Sequence, residues 1–389
     1  MEITGNRKQR VVVAMSGGVD SSVTAALLAR RGCEVIGVTM RLFNAPDETA
    51  GRLSKSCCSV QDVEDARAVC RAIGAQHYYL NFEKEFRKHV IDYFISEYER
   101  GRTPYPCLAC NDRLKFRFLM ERSELMDADF VATGHYARIV HEEGRHRLKR
   151  AADPSKDQSY VLYGLSQSQM ARLMMPVGEF AKAQVRATAR EMGLPTADKP
   201  DSQDICFIPD GDYREFLGSR LSVTTPGDIV DSAGRVLGSH EGVHMFTIGQ
   251  RKGIPLQGGT GRAIFVTGVD MESGNVTVGP ADELQQSELF ASEVNWIAGA
   301  IPSSPVEVTA RIRYRGAEDR ATVTPFAGPG GNWAKVRFER PQRAVTPGQA
   351  VVFYDGEEVL GGGFIELKSP VVAPSQGAAL TIPSPAGKG

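Results

Sequence analysis

Seven residues near the start, Ser16-Gly17-Gly18-Val19-Asp20-Ser21-Ser22, constrain this chain more than any other stretch. The apolar run Val11-Val12-Val13-Ala14-Met15 precedes them, and a helical pattern, Val23, Ala26, Leu27 and Ala29, follows. The segment reads as strand, glycine turn and helix, which commits the beginning of the chain to an α/β layer. Gly17 and Gly18 permit positive φ and let the backbone approach an anion, while the helix start offers free N–H groups at its positive dipole end. Hydroxyls of Ser16, Ser21 and Ser22 add donors, and Asp20 is suited to hold a magnesium ion between phosphate oxygens. No lysine follows the glycines, so the run departs from the pattern G-x-x-x-x-G-K-[ST]. A glycine helix cap with no ligand is the competing reading, but seven matching residues between a strand and a helix favour a phosphate cradle.

Down to about Pro200, short apolar strands alternate with longer helical segments, as a parallel α/β sheet requires. Strands are expected at 10–15, 34–40, 76–81 and 129–133, and helices at 20–31, 60–74, 83–100 and 111–127, with a helical pair near 166–174 and 179–193. Leu119, Met120 and Leu125 read as a core stripe. After Gly211 the pattern turns to short β alternations broken by Gly, Pro, Asn and Asp. Runs at 227–231, 262–269 and 274–279 form one cluster. Those at 286–298, 306–315, 320–325, 334–340, 350–354 and 359–366 form another, each large enough for a small barrel. The expected division is a flexible 1–9, an α/β domain over 10–211, a central β-rich domain over 212–284, a β-barrel over 285–368 and a disordered tail over 369–389, rich in Pro, Ser, Gly and Ala.

Seven cysteines, an odd number, with no signal-like apolar stretch before Val11 and no apolar run of membrane length, point to a reducing cytoplasm rather than secretion or a membrane. The informative ones lie in Tyr105-Pro106-Cys107-Leu108-Ala109-Cys110-Asn111 and in Pro200-Asp201-Ser202-Gln203-Asp204-Ile205-Cys206. Pro104 and Pro106 force an extended approach, and Asn111 then reads as a helix start that places Cys110 at the positive end. That position, with Arg113 nearby, lowers a thiol pKa and favours a nucleophilic thiolate. A zinc site or inert buried thiols are the alternatives, although no second CxxC or His pair at zinc spacing is present. Cys33, Cys57, Cys58 and Cys70 read as structural.

The first loop resembles that of the PP-loop ATP pyrophosphatases, which split ATP between the α and β phosphates and transfer AMP to an oxygen. Five further motifs narrow the resemblance: Gly134-His135-Tyr136, Lys156-Asp157-Gln158-Ser159, the run from Pro200 to Pro209, Thr247-Ile248-Gly249-Gln250-Arg251 and Gly361-Gly362-Gly363. With them, in order from about residue 10 to 368, the chain is similar to the bacterial tRNA-specific 2-thiouridylase family. The resemblance implies a Rossmann-like PP-loop ATPase domain with a parallel sheet, then a small β-rich domain and a C-terminal β-barrel. In that family ATP adenylates the 2-carbonyl oxygen of the wobble uridine, position 34, and sulfur from a cysteine persulfide replaces it.

Residue by residue, the resemblance implies an ATP site of Ala14, Met15, Ser16, Gly17, Gly18, Val19, Asp20 and Ser21, with Met40 for adenine and Gly134 near the ribose. Cys110 corresponds to the nucleophile and Cys206 to the persulfide carrier. Tyr105, Pro106 and Cys107 face the target base, and His135, Lys156, Asp157, Gln158, Tyr314, Arg315 and Gln349 match positions that touch tRNA. The implied cofactors are ATP and Mg2+. Implied partners are tRNA and a sulfur donor such as a cysteine desulfurase or relay protein, and the protein is expected to be a monomer with no membrane association.

Where many members of the family carry Asp, in the pattern N-P-D-x-x-C, this chain has Cys107. A thiol with a pKa near roughly 8.5 replaces a carboxyl acid or base poorly. Cys107 is then a tolerated neighbour, a resolving thiol for Cys110, or, with Cys110 and Cys206, a ligand of a [4Fe–4S] cluster whose fourth iron binds hydrosulfide.

Composition is silent on nucleic acid, with 46 basic and 47 acidic residues, so RNA contact must come from local patches. Arg311, Arg313 and Arg315 alternate as on one strand face, beside Tyr314 and Arg320, and Arg145, Arg147, Lys149 and Arg150 form a second basic run. A solvated strand face is the ordinary meaning of such runs. Two other functions stay open: a PP-loop enzyme acting on a small acceptor, and a catalytically silent RNA-binding or redox protein.

Overall fold

The computed structural model describes residues 7–43, 60–201, 205–208, 212–221, 224–257, 263–366 and 368–370. Cys57, Cys58, residues 1–6 and most of the expected tail lie outside the described residues.

The first unit is a five-stranded parallel sheet. Its strands are β1 (Arg10–Ala14), β2 (Glu34–Arg41), β3 (Gln76–Asn81), β4 (Phe130–Ala132) and β7 (Leu173–Met174), in the order β3-β2-β1-β4-β7. Val11, Val12 and Val13 of β1 are fully buried, as a strand covered by helices on both faces must be. Helices α1 (Val19–Arg30) and α2 (Val60–Ala72) pack against it. Strand order reverses beside β1, with β2 and β3 on one side and β4 on the other. An open α/β sheet places its ligand crevice at that switch point, beyond the carboxyl ends of the strands.

Helix α3 runs over 83–99, with a π-helical stretch at Arg87–Ile91, and α4 runs over 106–124, with another at Cys110–Phe116. The two helices meet in one apolar cluster that holds Val90 and Leu114 of the wide turns and Phe94 of the next turn of α3. Next come the short α5 (Gln167–Met170), α6 (Lys182–Glu191) and α7 (Tyr213–Gly218). Residues 173–174, expected to close a helix, instead form the edge strand β7, paired to β4 through Val131–Leu173 and Ala132–Met174. Leu125 is 76% exposed and does not belong to the stripe of Leu119 and Met120. It follows the last turn of α4, where the helix surface has already left the core.

A four-stranded sheet follows, β10-β11-β8-β9, made of β8 (Gly227–Asp231), β9 (Val236–His240), β10 (Phe265–Val269) and β11 (Val276–Gly279). Beyond it, β12 (Gln285–Trp296), β13 (Val306–Arg311), β14 (Asp319–Gly328), β15 (Gly331–Arg343), β16 (Ala350–Asp355) and β17 (Glu358–Glu366) form a six-stranded barrel, closed by pairing of β12 with β17. Its core is the inward set Leu289, Val308, Val323, Val336, Val351, Phe353 and Ile365. At the closure, a Cβ on Gly361, Gly362 or Gly363 would stand 2.2 to 2.7 Å from a backbone oxygen of β12 or β16, so the triple glycine is required for the strands to meet. The hairpin of β5 (Ala137–Glu142) and β6 (Arg145–Arg150) leaves the first unit and adds to the barrel sheet, with Leu148 opposite Val359.

Candidate nucleotide and thiol site

The loop after β1 has the shape its glycines allow. Gly17 adopts φ +69°, and a Cβ there would stand 2.3 Å from the backbone oxygen of Asp62, so α2 is packed against a residue without a side chain. Gly18 caps α1 with no side-chain hydrogen bond, which leaves first-turn N–H groups for an anion. The serines hold the turn: Ser21 Oγ receives the Ser16 N–H at 3.2 Å and donates to Gly18 O at 3.1 Å, and Ser22 Oγ donates to Gly18 O at 2.8 Å. Gly134, just past β4, lies against the same turn, where a Cβ would meet Ser21 N at 2.7 Å. Met40 stands near the carboxyl end of β2, two residues beyond the partner of Ala14. The structure thus gathers Ala14 to Ser21, Met40 and Gly134 at one end of the sheet.

Asp20 is tied to residues the sequence had not linked to it. Its carboxylate accepts from Tyr136 Oη at 2.7 Å and from Lys182 Nζ at 2.7 and 2.8 Å. Asp201, at the head of the Cys206 segment, pairs with Lys182, Lys156 and Arg186, each at 2.9 Å. Partial burial pushes the Asp201 carboxyl up, but these cations outweigh it and hold the group at about 2. The triplet Lys156-Asp157-Gln158 is engaged inside the protein. Asp157, buried, accepts from Ala151 N, Ser159 N and Ser159 Oγ, and Gln158 Oε1 accepts from Tyr136 N. His135 hydrogen bonds to Thr133, and burial, with Lys115 nearby, lowers its pKa to about 3, so the ring is neutral.

The helix carrying the paired cysteines starts earlier than Asn111. Tyr105 is the cap and Pro106 the first helical residue, where a missing N–H costs nothing. Cys107 therefore sits in the first turn at the positive end. Cys110 lies a turn further on, buried in the π-helical stretch, so the positive end of the helix acts on Cys107 and not, as expected, on Cys110. Tyr105 hydrogen bonds to Cys107, and burial raises the phenol pKa. Cys110 and Cys206 border one apolar cluster, built on Phe86, Phe94, Phe207 and Phe216, and Met40 touches it too. The fold therefore sets Met40, Cys110 and Cys206 around one apolar cluster. Among the described residues no three His, Cys, Asp or Glu side chains gather to hold a metal, so the cluster reading of Cys107, Cys110 and Cys206 lacks the convergence it needs. Cys70 is buried under Gly37, and desolvation raises its thiol to about 11, consistent with a packing role.

Toward the barrel, Tyr105 stacks on Tyr314 with centroids 5.9 Å apart, and Tyr160 leans on Tyr314 at 6.0 Å. Gln349 Nε2 donates to Thr103 O at 2.7 Å, so its side chain braces the approach to Cys107. The arginine alternation fails as a strand face because β13 ends at Arg311. Arg311 turns inward to Glu318 at 2.5 Å, Arg313 donates to the carbonyl of Ala344, and Arg315 is exposed on the following turn. The second basic run is likewise occupied. Arg150 pairs with Glu318 at 2.6 Å and stacks 3.9 Å over Tyr354, Arg147 pairs with Glu358 at 2.6 Å, and Lys149 with Glu142 at 2.8 Å. Lys182 and Arg186 were missed by sequence reasoning, and Tyr136 was noted only within a motif; nothing local marks Lys182, which meets Asp20 from 162 positions away.

Comparison with known proteins bears on the same residues. Family models match at 9–210 (tRNA methyl transferase HUP domain), 214–280 (tRNA methyl transferase PRC-barrel domain) and 286–365 (aminomethyltransferase beta-barrel domain). A protein of Halothermothrix orenii named tRNA-specific 2-thiouridylase MnmA is 47% identical over 92% of this chain and 99% of its own length. Similarly named proteins of Carboxydothermus hydrogenoformans and Geobacter metallireducens are each 48% identical over 94% of this chain, and over 99% and 98% of their own lengths. Identity at that level along nearly the whole chain places this chain in the tRNA-specific 2-thiouridylase family.

Proposed function

We propose that this chain is an ATP-dependent tRNA-uridine 2-sulfurtransferase acting on the wobble uridine. The observation that supports the reading is an anion-cradling loop after β1 with Met40 near the carboxyl end of the neighbouring β2, and Met40, Cys110 and Cys206 bordering one apolar cluster. A uracil carbonyl oxygen is a poor leaving group, but as an adenylate it departs as AMP. The loop N–H groups at α1 stabilise charge on the phosphates, and bound Mg2+ supplies further charge neutralisation. Asp20 has the oxygen donors a magnesium ion prefers; in this structure they are taken by Lys182 and Tyr136.

In the sulfur step, the Cys110 thiolate attacks the inner sulfur of a Cys206 persulfide. A Cys110–Cys206 disulfide forms and hydrosulfide leaves. Hydrosulfide then adds at C2 of the adenylated base and AMP departs. A thiol reductant reopens the disulfide, and an external persulfide donor, such as a cysteine desulfurase or relay protein, reloads Cys206. Alternatively the outer persulfide sulfur attacks C2 and AMP departs, and the Cys110 thiolate then attacks the Cys206 sulfur of the base–S–S–Cys206 adduct, releasing the 2-thiouridine and forming the same disulfide. Cys107, at the positive end of α4, serves as an auxiliary thiol. The stacked Tyr105 and Tyr314 offer aromatic faces to an unstacked base, and exposed Arg315 a contact for phosphate. The protein works as a monomer in the cytoplasm, with 10–211, 212–284 and 285–368 as its domains; among the described residues no helix is long and apolar enough to cross a membrane.

Incubating the protein with unmodified tRNA, ATP, Mg2+ and a persulfide donor, then digesting to nucleosides, tests the reading. 2-Thiouridine at position 34 with release of AMP and pyrophosphate is expected. A methylated nucleoside, or ATP turnover on a small acceptor without tRNA, would overturn it.

A further inference from the structure

Arg311 and Arg340 of the barrel find carboxylates, on Glu318 and Asp319. Arg313 and Arg343 do not: among the described residues neither guanidinium forms an ion pair. They nevertheless stand beside each other. Arg313 Nη2 donates to the backbone carbonyls of Arg343, at 3.3 Å, and of Ala344, and the Arg343 guanidinium lies 4.7 Å over the ring of Phe265. Partial burial and the like charge of Arg343 lower the Arg313 pKa. Both residues are exposed, and of the five N–H donors in a guanidinium Arg313 commits those of one nitrogen to these carbonyls. The backbone that joins them is strained, since Ala344 holds φ +54°, a left-handed conformation unfavourable for a residue with a side chain. It is held there by its N–H on Leu284 O at 2.9 Å and by Thr346 Oγ1 and Arg313 on its carbonyl. Its methyl lies against Gly249, where a Cβ would stand 2.8 Å away, so the motif over 247–251 needs its glycine to admit this turn. Strain that surrounding structure enforces in this way clusters at ligand sites. The pair borders the stacked tyrosines. Tyr314 follows Arg313 and stacks on Tyr105, and beyond Ala344 the chain reaches the approach to Cys107, where Pro347 O accepts from Thr103 N at 2.9 Å.

We propose that Arg313 and Arg343 form a site for a backbone phosphate of the tRNA, beside the nucleotide whose base lies against Tyr105 and Tyr314. Two like charges held together without a carboxylate repel each other, and an anion between them removes that repulsion. Guanidinium forks suit phosphate oxygens, and hydrogen bonds of that kind are charge-assisted. An RNA chain is the phosphate source the surroundings favour, because the aromatic faces next to the pair take an unstacked base. The contact fixes where the strand lies and carries no sequence information of its own. It adds a second anchor to the one assigned to Arg315. The proposal rests on tRNA being the substrate.

The test measures binding of an unmodified tRNA transcript to the full-length protein, without ATP, by filter retention over a salt series. Arg313→Gln and Arg343→Gln are each expected to weaken binding about tenfold at low salt. Each should also make the slope of log Kd against log salt shallower by about 0.7, the value of one phosphate contact on a single strand. Arg343→Lys keeps the slope, and Arg340→Gln, whose charge is already met by Asp319, changes neither quantity. In the thiolation assay both glutamine variants raise KM for tRNA and leave kcat in place. Arg313 also braces the Ala344 carbonyl, so its variant can act through the fold; Arg343→Gln, at an exposed head group, decides the matter if Arg313→Gln unfolds early. Weaker binding with an unchanged salt slope, or wild-type affinity in Arg343→Gln, would overturn the phosphate site and leave the substrate reading standing. Failure of the wild-type protein to bind tRNA would overturn both.

Discussion

Replacing Gly17 by alanine isolates what the loop geometry contributes, provided Gly32→Ala is measured beside it. Both glycines have positive φ, +69° and +85°, but a Cβ at Gly32 meets nothing within 4 Å, whereas one at Gly17 meets Asp62 O at 2.3 Å and Asp62 Cα at 2.6 Å. Left-handed backbone costs an alanine about 1–2 kcal/mol at either site. Gly17→Ala must also push α2 away from the loop, an overpacking term of about 1–3 kcal/mol, for a total of about 2–5 kcal/mol. Asp62 also accepts from Lys199 at 2.6 Å, so the displacement would disturb that pair as well. Both tryptophans, Trp296 and Trp333, lie in the barrel strands, so fluorescence reports the wrong unit. Far-UV circular dichroism at the helix band, during urea unfolding, follows the first unit, where the longer helices are. ATP binding should fall tenfold or more in Gly17→Ala, since each factor of ten needs only about 1.4 kcal/mol. It should be unchanged in Gly32→Ala, one helix length of about 18 Å away. Equal destabilisation of the two variants with equal ATP binding would refute the close-approach reasoning.

Cys206→Ser and Cys110→Ser should each abolish 2-thiouridine while tRNA-dependent pyrophosphate release continues, because adenylation precedes the sulfur step; loss of pyrophosphate release in both would contradict that order. Cys107→Asp should retain thiolation within about threefold if Cys107 is an auxiliary group rather than a required thiol, as nucleoside analysis would reveal. The Asp201 carboxyl, held at about 2 against an ordinary 3.8, contributes stability that is full above the ordinary value and is lost as pH falls through the folded one. Between pH 5 and about 2, wild type should therefore lose more stability than Asp201→Asn, and parallel acid melting curves would exclude this. Glu318 bridges Arg150 and Arg311 at 2.6 and 2.5 Å. Glu318→Ala should destabilise the junction of hairpin and barrel by about 3 kcal/mol, seen in tryptophan fluorescence during denaturation.

Much of this protein is local in origin and was legible as such. A strand flanked by an apolar run, a turn needing Gly17 and a helix beginning at Val19 depend on neighbours in sequence, so the sheet and its loop followed from periodicity and glycine placement. The same holds for the barrel strands, whose alternation survives wherever they pair. Local reading failed where two nearby signals competed. Asn111 looked like a helix start, but Pro106 is the stronger one because proline fits the first helical position without losing a hydrogen bond. It failed again where basic residues were judged by sequence proximity, since ion pairs with Glu318, Glu358 and Glu142 consumed charges that seemed available to RNA.

Sequence by itself determined the chemistry available: an anion loop and three thiols at telling positions, Cys107, Cys110 and Cys206. Only tertiary structure decided which of these meet. Lys182 reaches Asp20 across 162 positions, β5 and β6 leave the first unit to extend the barrel sheet, and Cys110 and Cys206 come to border one aromatic cluster. Contacts of that kind are set by how buried surfaces pack, which no short window of residues encodes.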